Sequence, residues 1–138
     1  MSVWFDMLHD DVDVVNSTAA DSDSCVGRWI AFTDDDCIAD PHWLSQAKKQ
    51  IETNDVQMLE GKVVIPEPKR KTLTYKGIQR LSNFGGYQTC NMFYQRASFD
   101  TVGGFDLKFP FYLEDTDLAW SIQDSGGKII HAAKARVR

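Results

Sequence analysis

Cysteine is scarce. Cys25, Cys37 and Cys90 form no Cys-x-x-Cys pair and are too few for a disulfide framework, so reduced thiols are expected. With 4 prolines and 9 glycines in 138 residues, collagen-like and low-complexity chains are excluded. No run approaches the roughly 20 apolar residues that a membrane-spanning helix needs. The N-terminal MSVWFDMLHDD lacks the basic flank and apolar stretch of a secretory signal. Basic charge is also short. Lys and Arg number 15 against 20 Asp and Glu, a net charge of −5, which argues against a nucleic-acid binder. A cytoplasmic protein is the expectation, with peripheral attachment at the inner face of a membrane left open.

What is present suits one soluble domain over residues 1–138: 43% hydrophobic, 25% charged and a generous 12% aromatic residues. Charge is uneven along it. Lys69, Arg70, Lys71, Lys76 and Arg80 fall in a stretch without an acid, readable as a solvated loop or as a contact for anions or a membrane surface. Residues 6–23 hold Asp6, Asp10, Asp11, Asp13, Asp21 and Asp23 without a lysine or arginine.

Hydrophobic periodicity predicts alternating strands and helices. DVDVV reads as a strand and NSTAADSDSC as a loop. RWIAFT is a short buried strand, apolar throughout and followed by acids. ADPHWLSQAKKQIETN is a helix with Asp40 as cap, Pro41 at its first position and Leu44, Ala47 and Ile51 on one face. QMLEGKVVIP is a strand closed by Pro66 and Pro68. A loop with some helix around Tyr75 to Leu81 follows. TCNMFYQR is a strand, and ASFDTVGGFD a short helix stopped by Gly103 and Gly104. LEDTDLAWSIQDSGG is a helix from about Glu114, and GKIIHA a last short strand. This order predicts an α/β domain with a mixed sheet, whose ligands gather at the carboxyl ends of strands.

Two acidic clusters stand out. Asp34, Asp35 and Asp36 follow the apolar WIAFT. Three carboxylates at a strand end repel one another, and a hard divalent cation relieves that. If the segment is extended, Asp34 and Asp36 point the same way and Asp35 elsewhere. A solvated turn, or caps for the next helix, explains the same acids without a ligand. The second cluster is Glu114, Asp115 and Asp117 in FYLEDTDLAW. Acids favour a helix N-terminus through its dipole. The alternative is a general base, desolvated by Phe109, Phe111, Tyr112 and Trp120.

WIAFTDDDCIADPHWL, CNMFYQRASFDTVGGFD and FPFYLEDTDLAWSIQDSGGKI, taken together, resemble the family 2 glycosyltransferases, inverting enzymes of GT-A fold. The resemblance runs from about Gly27 to the C-terminus, 27–138, and rests on three motifs in the family's order. It implies a Rossmann-like GT-A mixed sheet flanked by helices. It also implies transfer of a sugar from a nucleotide-diphosphate donor to a hydroxyl acceptor, glycan, lipid-linked or other, as in cell-envelope polysaccharide synthesis. By the same resemblance Asp34 and Asp36 hold Mn²⁺ or Mg²⁺, Asp115 is the base and Glu114 its catalytic neighbour. Asp35, Asn91, Gly103, Gly104, Phe105, Asp106 and Asp117 line the donor and acceptor side. Family members open with a strand-loop-helix unit that holds the nucleotide base. Residues 1–28 are short and polar for that role, so a domain truncated at the N-terminus, with an incomplete sheet, is expected. An incomplete sheet exposes edges and invites a homodimer. His131 is expected as a strand histidine rather than a metal ligand. The competing expectations are a non-catalytic glycosyltransferase-like binding domain and an unrelated acidic domain. In the unrelated domain Asp34, Asp36 and Asp115 would lie far apart.

Overall fold

The computed structural model describes residues 11–16, 27–68, 70, 83–109 and 113–138. Five strands, β1 (Val12–Asn16), β2 (Trp29–Thr33), β3 (Met58–Val63), β4 (Asn91–Gln95) and β5 (Ile129–Val137), form one sheet in the order β1-β2-β4-β3-β5. β1 runs parallel to β2 and β5 parallel to β3, while β4 is antiparallel to both its neighbours. Among the described residues three helices flank the sheet: α1 (Trp43–Thr53), α2 (Arg96–Thr101) and α3 (Glu114–Asp124). The architecture is the mixed α/β sheet that the residue pattern predicts.

The layers follow from strand alternation. Ile30 and Phe32 of β2, Met58 of β3 and Met92 and Tyr94 of β4 share one core with Phe99 of α2 and Leu118, Ala119 and Ile122 of α3. Trp29, Ala31, Leu59 and Phe93 point the other way and pack with Trp43 and Ala47 of α1 and with Ala132, Ala135 and Val137 of β5. β2 and β4 are covered on both faces, which is why WIAF and NMFY read as continuous apolar runs rather than alternating ones. Each fully buried Ile, Leu, Met or Phe contributes roughly 1.5–3 kcal/mol. The rings of Phe32, Tyr94, Phe99 and Phe105 add edge and tilted contacts at centroid distances of 5.5–6.2 Å.

Several boundaries differ from the predicted ones. α1 begins at Trp43, after a turn made by Asp-Pro-His. Asp40 accepts the His42 N–H through its carboxylate (2.9 Å) and the Trp43 N–H through its carbonyl (2.9 Å), so it caps that turn rather than the helix. β3 stops at Val63, short of the prolines. β5 is no short strand but 9 residues long. It slips register against β3, where Gly61 pairs with Ala132 and Lys62 with Arg136. The helix expected around Tyr75 to Leu81 and most of the basic segment lie outside the described residues. So do residues 17–25 of the loop NSTAADSDSC, whose Asn16 instead ends β1, and the aromatic pair Phe111 and Tyr112.

Candidate active site

β2 delivers its acids to a turn, not to an extended segment. The Cys37 N–H donates to the Asp34 carbonyl (3.1 Å), placing Asp35 and Asp36 at the turn's centre. This corrects the extended Asp-x-Asp geometry. The reason lies just downstream, where Ile38 to Asp40 must double back to meet the end of β5. The Ile38 N–H donates to the Arg138 carbonyl (2.7 Å), the Arg138 N–H to the Ile38 carbonyl (2.8 Å), and the Asp40 N–H to the Arg136 carbonyl (2.9 Å). The acidic turn is therefore clamped at both ends, by β2 and by the last residues of β5.

Within that turn the three acids are not equivalent. Asp35 and Asp36 are exposed, whereas Oδ1 of Asp34 is buried and has no hydrogen-bond partner among the described residues. A buried unpartnered carboxylate oxygen is costly and calls for a ligand. Burial pushes the Cys37 thiol up first, and the charges of Asp34 and Asp36 push it further against the Asp34 backbone contact. Hard oxygen donors, one of them orphaned, suit a divalent cation that keeps several waters.

Asp115 lies on the α3 side of the sheet. It stands three and four residues before Leu118 and Ala119, which face the sheet, and so shares their side of α3. Burial raises its pKa above the ordinary carboxylate range. The Thr116 N–H (2.8 Å) opposes that shift and the charge of Glu114 adds to it. Its nearest landmark on the sheet is Tyr94, whose buried hydroxyl is pushed well up by burial and then by the charge of Asp115. The Tyr94 hydroxyl and Oε2 of Glu114 are likewise buried without a partner among the described residues. Cys90, in the turn just before β4, lies beside Asp34, whereas Tyr94, within β4, feels the charge of Asp115.

Leu113, immediately before α3, holds a left-handed backbone (φ 70°), a conformation that costs a non-glycine residue about 1 kcal/mol or more. It sets the angle at which the first helical turn, with Glu114, Asp115 and Asp117, meets the sheet. The dipole reading of these acids remains true of their position, yet it does not account for the burial of Asp115.

Other residues expected at the donor and acceptor side belong to the scaffold. Asn91 is 1% exposed and faces α1. Its Oδ1 accepts from Trp43 Nε1 (2.8 Å), and its Nδ2 donates to the carbonyls of Lys62 (3.0 Å) and Ala135 (2.9 Å). Both donor positions are used, so this side chain clasps β3, β4, β5 and α1 together. Phe105 packs edge-on against Phe32 (5.5 Å) and Phe99 (5.7 Å). Gly103 and Gly104 close α2 with positive φ, and a side chain at Gly104 would press on the Phe99 ring. Asp106 is exposed and caps a turn by accepting the Lys108 N–H (2.9 Å).

Two constellations escaped the sequence reading. Cys37 and Cys90 converge on Asp34, with the Cys90 thiol pushed up to about 12, first by burial. Glu60, buried in β3, accepts the N–H groups of Gly85 (2.7 Å) and Tyr87 (2.9 Å) and pairs with His131 Nδ1 (2.8 Å). His131 is thus a strand histidine, stacked on Phe84 at 4.8 Å. An acid two residues after Met58 in an otherwise apolar strand was a readable hint of the second. Nothing in the spacing of the cysteines hinted at the first.

The backbone is similar to that of a solved structure, the mannosyltransferase PcManGT from Pyrobaculum calidifontis in complex with GDP-Man and Mn²⁺ (TM-score 0.59). The mixed sheet flanked by helices is thus similar to a glycosyltransferase fold. At 15% identity the likeness shows the fold alone. It covers 86% of this chain and 33% of the mannosyltransferase, so the chain spans about a third of that protein's length. No protein-family model and no curated protein matches the sequence. Among the described residues no helix is long and apolar enough to cross a membrane.

Proposed function

We propose that the chain is the catalytic part of a metal-dependent, inverting glycosyltransferase acting on a nucleotide-diphosphate-sugar donor. One observation supports this reading: a fold similar to that of a glycosyltransferase carries an orphaned Asp34 oxygen at the end of β2 and a desolvated Asp115 at the start of α3. Asp34 and Asp36 would hold Mn²⁺ or Mg²⁺, which when bound would supply positive charge to the donor's diphosphate as the glycosidic bond breaks. Asp115 takes the proton of the acceptor hydroxyl as its oxygen attacks the sugar's anomeric carbon from the face opposite the leaving diphosphate. A raised pKa makes it a stronger base than an ordinary carboxylate. Glu114 keeps that pKa up through its charge, and Asp117 and Asp35 stand at the rim towards the acceptor and donor. The acceptor is a hydroxyl of a glycan or lipid-linked sugar. The apolar side chains of Leu113 and Trp120, both exposed on or beside α3, fit attachment at a membrane surface. Pairing through the β1 edge would give a homodimer.

A second reading, a non-catalytic sugar-nucleotide or partner-binding domain, is favoured by the commitment of Asn91 and Phe105 to the scaffold. Calorimetric titration with GDP, UDP and TDP, with and without Mn²⁺, separates the readings when paired with release of nucleoside diphosphate. Cation-dependent binding that disappears in Asp36→Ala, followed by turnover, supports the enzyme. Binding without turnover on any acceptor supports the second reading, and no binding at all removes the enzyme and leaves only a partner-binding domain.

A further inference from the structure

We propose that Asp34, Cys37 and Cys90 form a binding site for a thiophilic divalent cation of the zinc class, separate in its chemistry from the hard-cation site. One carboxylate oxygen and the two Sγ atoms all lie within 4.8 Å of one another. A tetrahedral zinc ion with Zn–S of about 2.3 Å needs its sulfurs about 3.8 Å apart, so the three donors close on it by side-chain adjustments of about 1 Å or less. They arrive from two independent backbones. Asp34 and Cys37 stand at the two ends of one turn, joined by the Cys37 N–H to Asp34 carbonyl bond. Cys90 comes from the residue preceding β4, opposite the end of β2, where Thr33 pairs with Asn91.

A second observation points to a ligand. Oδ1 of Asp34 is buried and without a hydrogen-bond partner among the described residues, next to two free thiols. A water or a cation would satisfy it, and two sulfurs beside it favour the cation. Sulfur donors discriminate. Thiolates prefer Zn²⁺ and its soft relatives to Mg²⁺ or Mn²⁺, which take oxygen. Three protein ligands leave a fourth position for water or a phosphate oxygen.

Asp34 belongs to both arrangements. Zinc held by the two sulfurs draws this carboxylate away from Asp36, so the two cations exclude one another. This last consequence rests on the proposed donor site, whereas the zinc site itself does not. Zinc is thereby an antagonist of any Mn²⁺-dependent nucleotide binding.

The test uses the full chain, freed of metal and kept reduced, without nucleotide. Titration with Co²⁺ is expected to give a thiolate-to-cobalt charge-transfer band that saturates at one equivalent and is bleached by one equivalent of Zn²⁺. Competition with a chromophoric chelator should then show Zn²⁺ affinity at least 10-fold weaker in Cys37→Ser and in Cys90→Ser, and unchanged in Cys25→Ser. Circular dichroism confirms that each variant is folded. Absence of the charge-transfer band in the unmutated chain overturns the site whatever the variants do. So does Zn²⁺ affinity that survives both serine substitutions. A zinc site found in a chain that binds no nucleotide leaves this inference standing and removes the glycosyltransferase reading. Nucleotide binding that needs Mn²⁺ but ignores zinc removes only the antagonism.

Discussion

Asn91 and Asp34 stand at the adjoining ends of neighbouring strands, yet the molecule treats them in opposite ways. Asn91 turns towards α1, is 1% exposed and has its Oδ1 and both amide hydrogens engaged by Trp43, Lys62 and Ala135. Asp34 leaves β2 beside Cys90, and its inner oxygen is buried with no partner among the described residues. Tyr94 and Glu114, whose charged or polar ends meet the α3 side, share that condition. A satisfied buried polar group fixes a structure, while an unsatisfied one is a standing cost that a ligand removes. The α1 face of the sheet is therefore the clasp, and the unsatisfied groups, at the end of β2, on Tyr94 and at the start of α3, mark where a ligand is proposed.

Substitutions on the two faces should separate accordingly. The largest effect is expected from Asp115→Asn, which removes the proposed base. Release of nucleoside diphosphate in a coupled assay should fall roughly 10²–10⁴-fold, with the midpoint of thermal unfolding unchanged or higher because a half-buried carboxylate is gone. A fall in both would move Asp115 into the scaffold. Next comes Asn91→Ala, which strands the Trp43 N–H and two carbonyls. Urea denaturation should show a loss of about 3 kcal/mol. Gly61→Ala should act in the same direction, because a Cβ there would overlap the Asn91 amide and the Ala135 carbonyl oxygen.

Asp34→Asn is the matched contrast to Asn91→Ala. Its stability should stay within about 0.5 kcal/mol of the parent or rise, while Mn²⁺-dependent nucleotide binding is lost. If Asp34→Asn unfolds the chain as readily as Asn91→Ala, the distinction between the two faces fails.

Smaller effects follow from charge. Asp115 must be ionised to act, and burial raises its pKa, so the acid limb of the pH–rate profile should lie above the ordinary carboxylate range. Glu114→Gln removes a neighbouring negative charge and should move that limb to lower pH. An unmoved limb would assign it to another group. The smallest effect belongs to the β1–β2 ion pair. Arg28 holds the Asp11 carboxyl below its usual range. That stabilisation is present above the unfolded-state value and is lost as pH falls through the lowered folded one. The pair is exposed and therefore weak. Acid unfolding of Arg28→Ala should track the parent closely, with any difference confined to that low-pH window.

Much of the fold was legible because burial on both faces writes itself into continuous apolar runs. WIAF and NMFY announced β2 and β4, and the glycines after Thr101 announced the end of α2 through their positive φ. The polar DVDVV was legible as a strand, but its parallel pairing with β2 was not, since register depends on partners distant in the chain. The full length of β5 was hidden for the same reason: HAAKARV alternates exposed and buried residues, and it is a strand because β3 and the segment after the acidic turn hydrogen-bond to it.

Of the site, the residue types were legible and the geometry was not. Three acids after an apolar strand marked the end of β2, but the turn that separates half-buried Asp34 from exposed Asp36 is dictated by the return to β5. Asn91 and Phe105 sat inside motifs whose resemblance suggested ligand contact, whereas the clasp and the aromatic core claim them. Cys90 beside Asp34 could be seen only once β4 was paired with β2.

The most direct test of the two-faced sheet is paramagnetic broadening by Mn²⁺, followed on assigned backbone amides of the full chain. Substoichiometric Mn²⁺ with GDP or UDP is predicted to broaden the amides of Asp36, Cys37, Cys90 and Thr116, to leave Gln50 to Glu52 of α1 sharp, and to broaden none of them in Asp34→Asn. Broadening centred on α1, or a pattern that persists unchanged in Asp34→Asn, would contradict a cation and donor site on the α3 face.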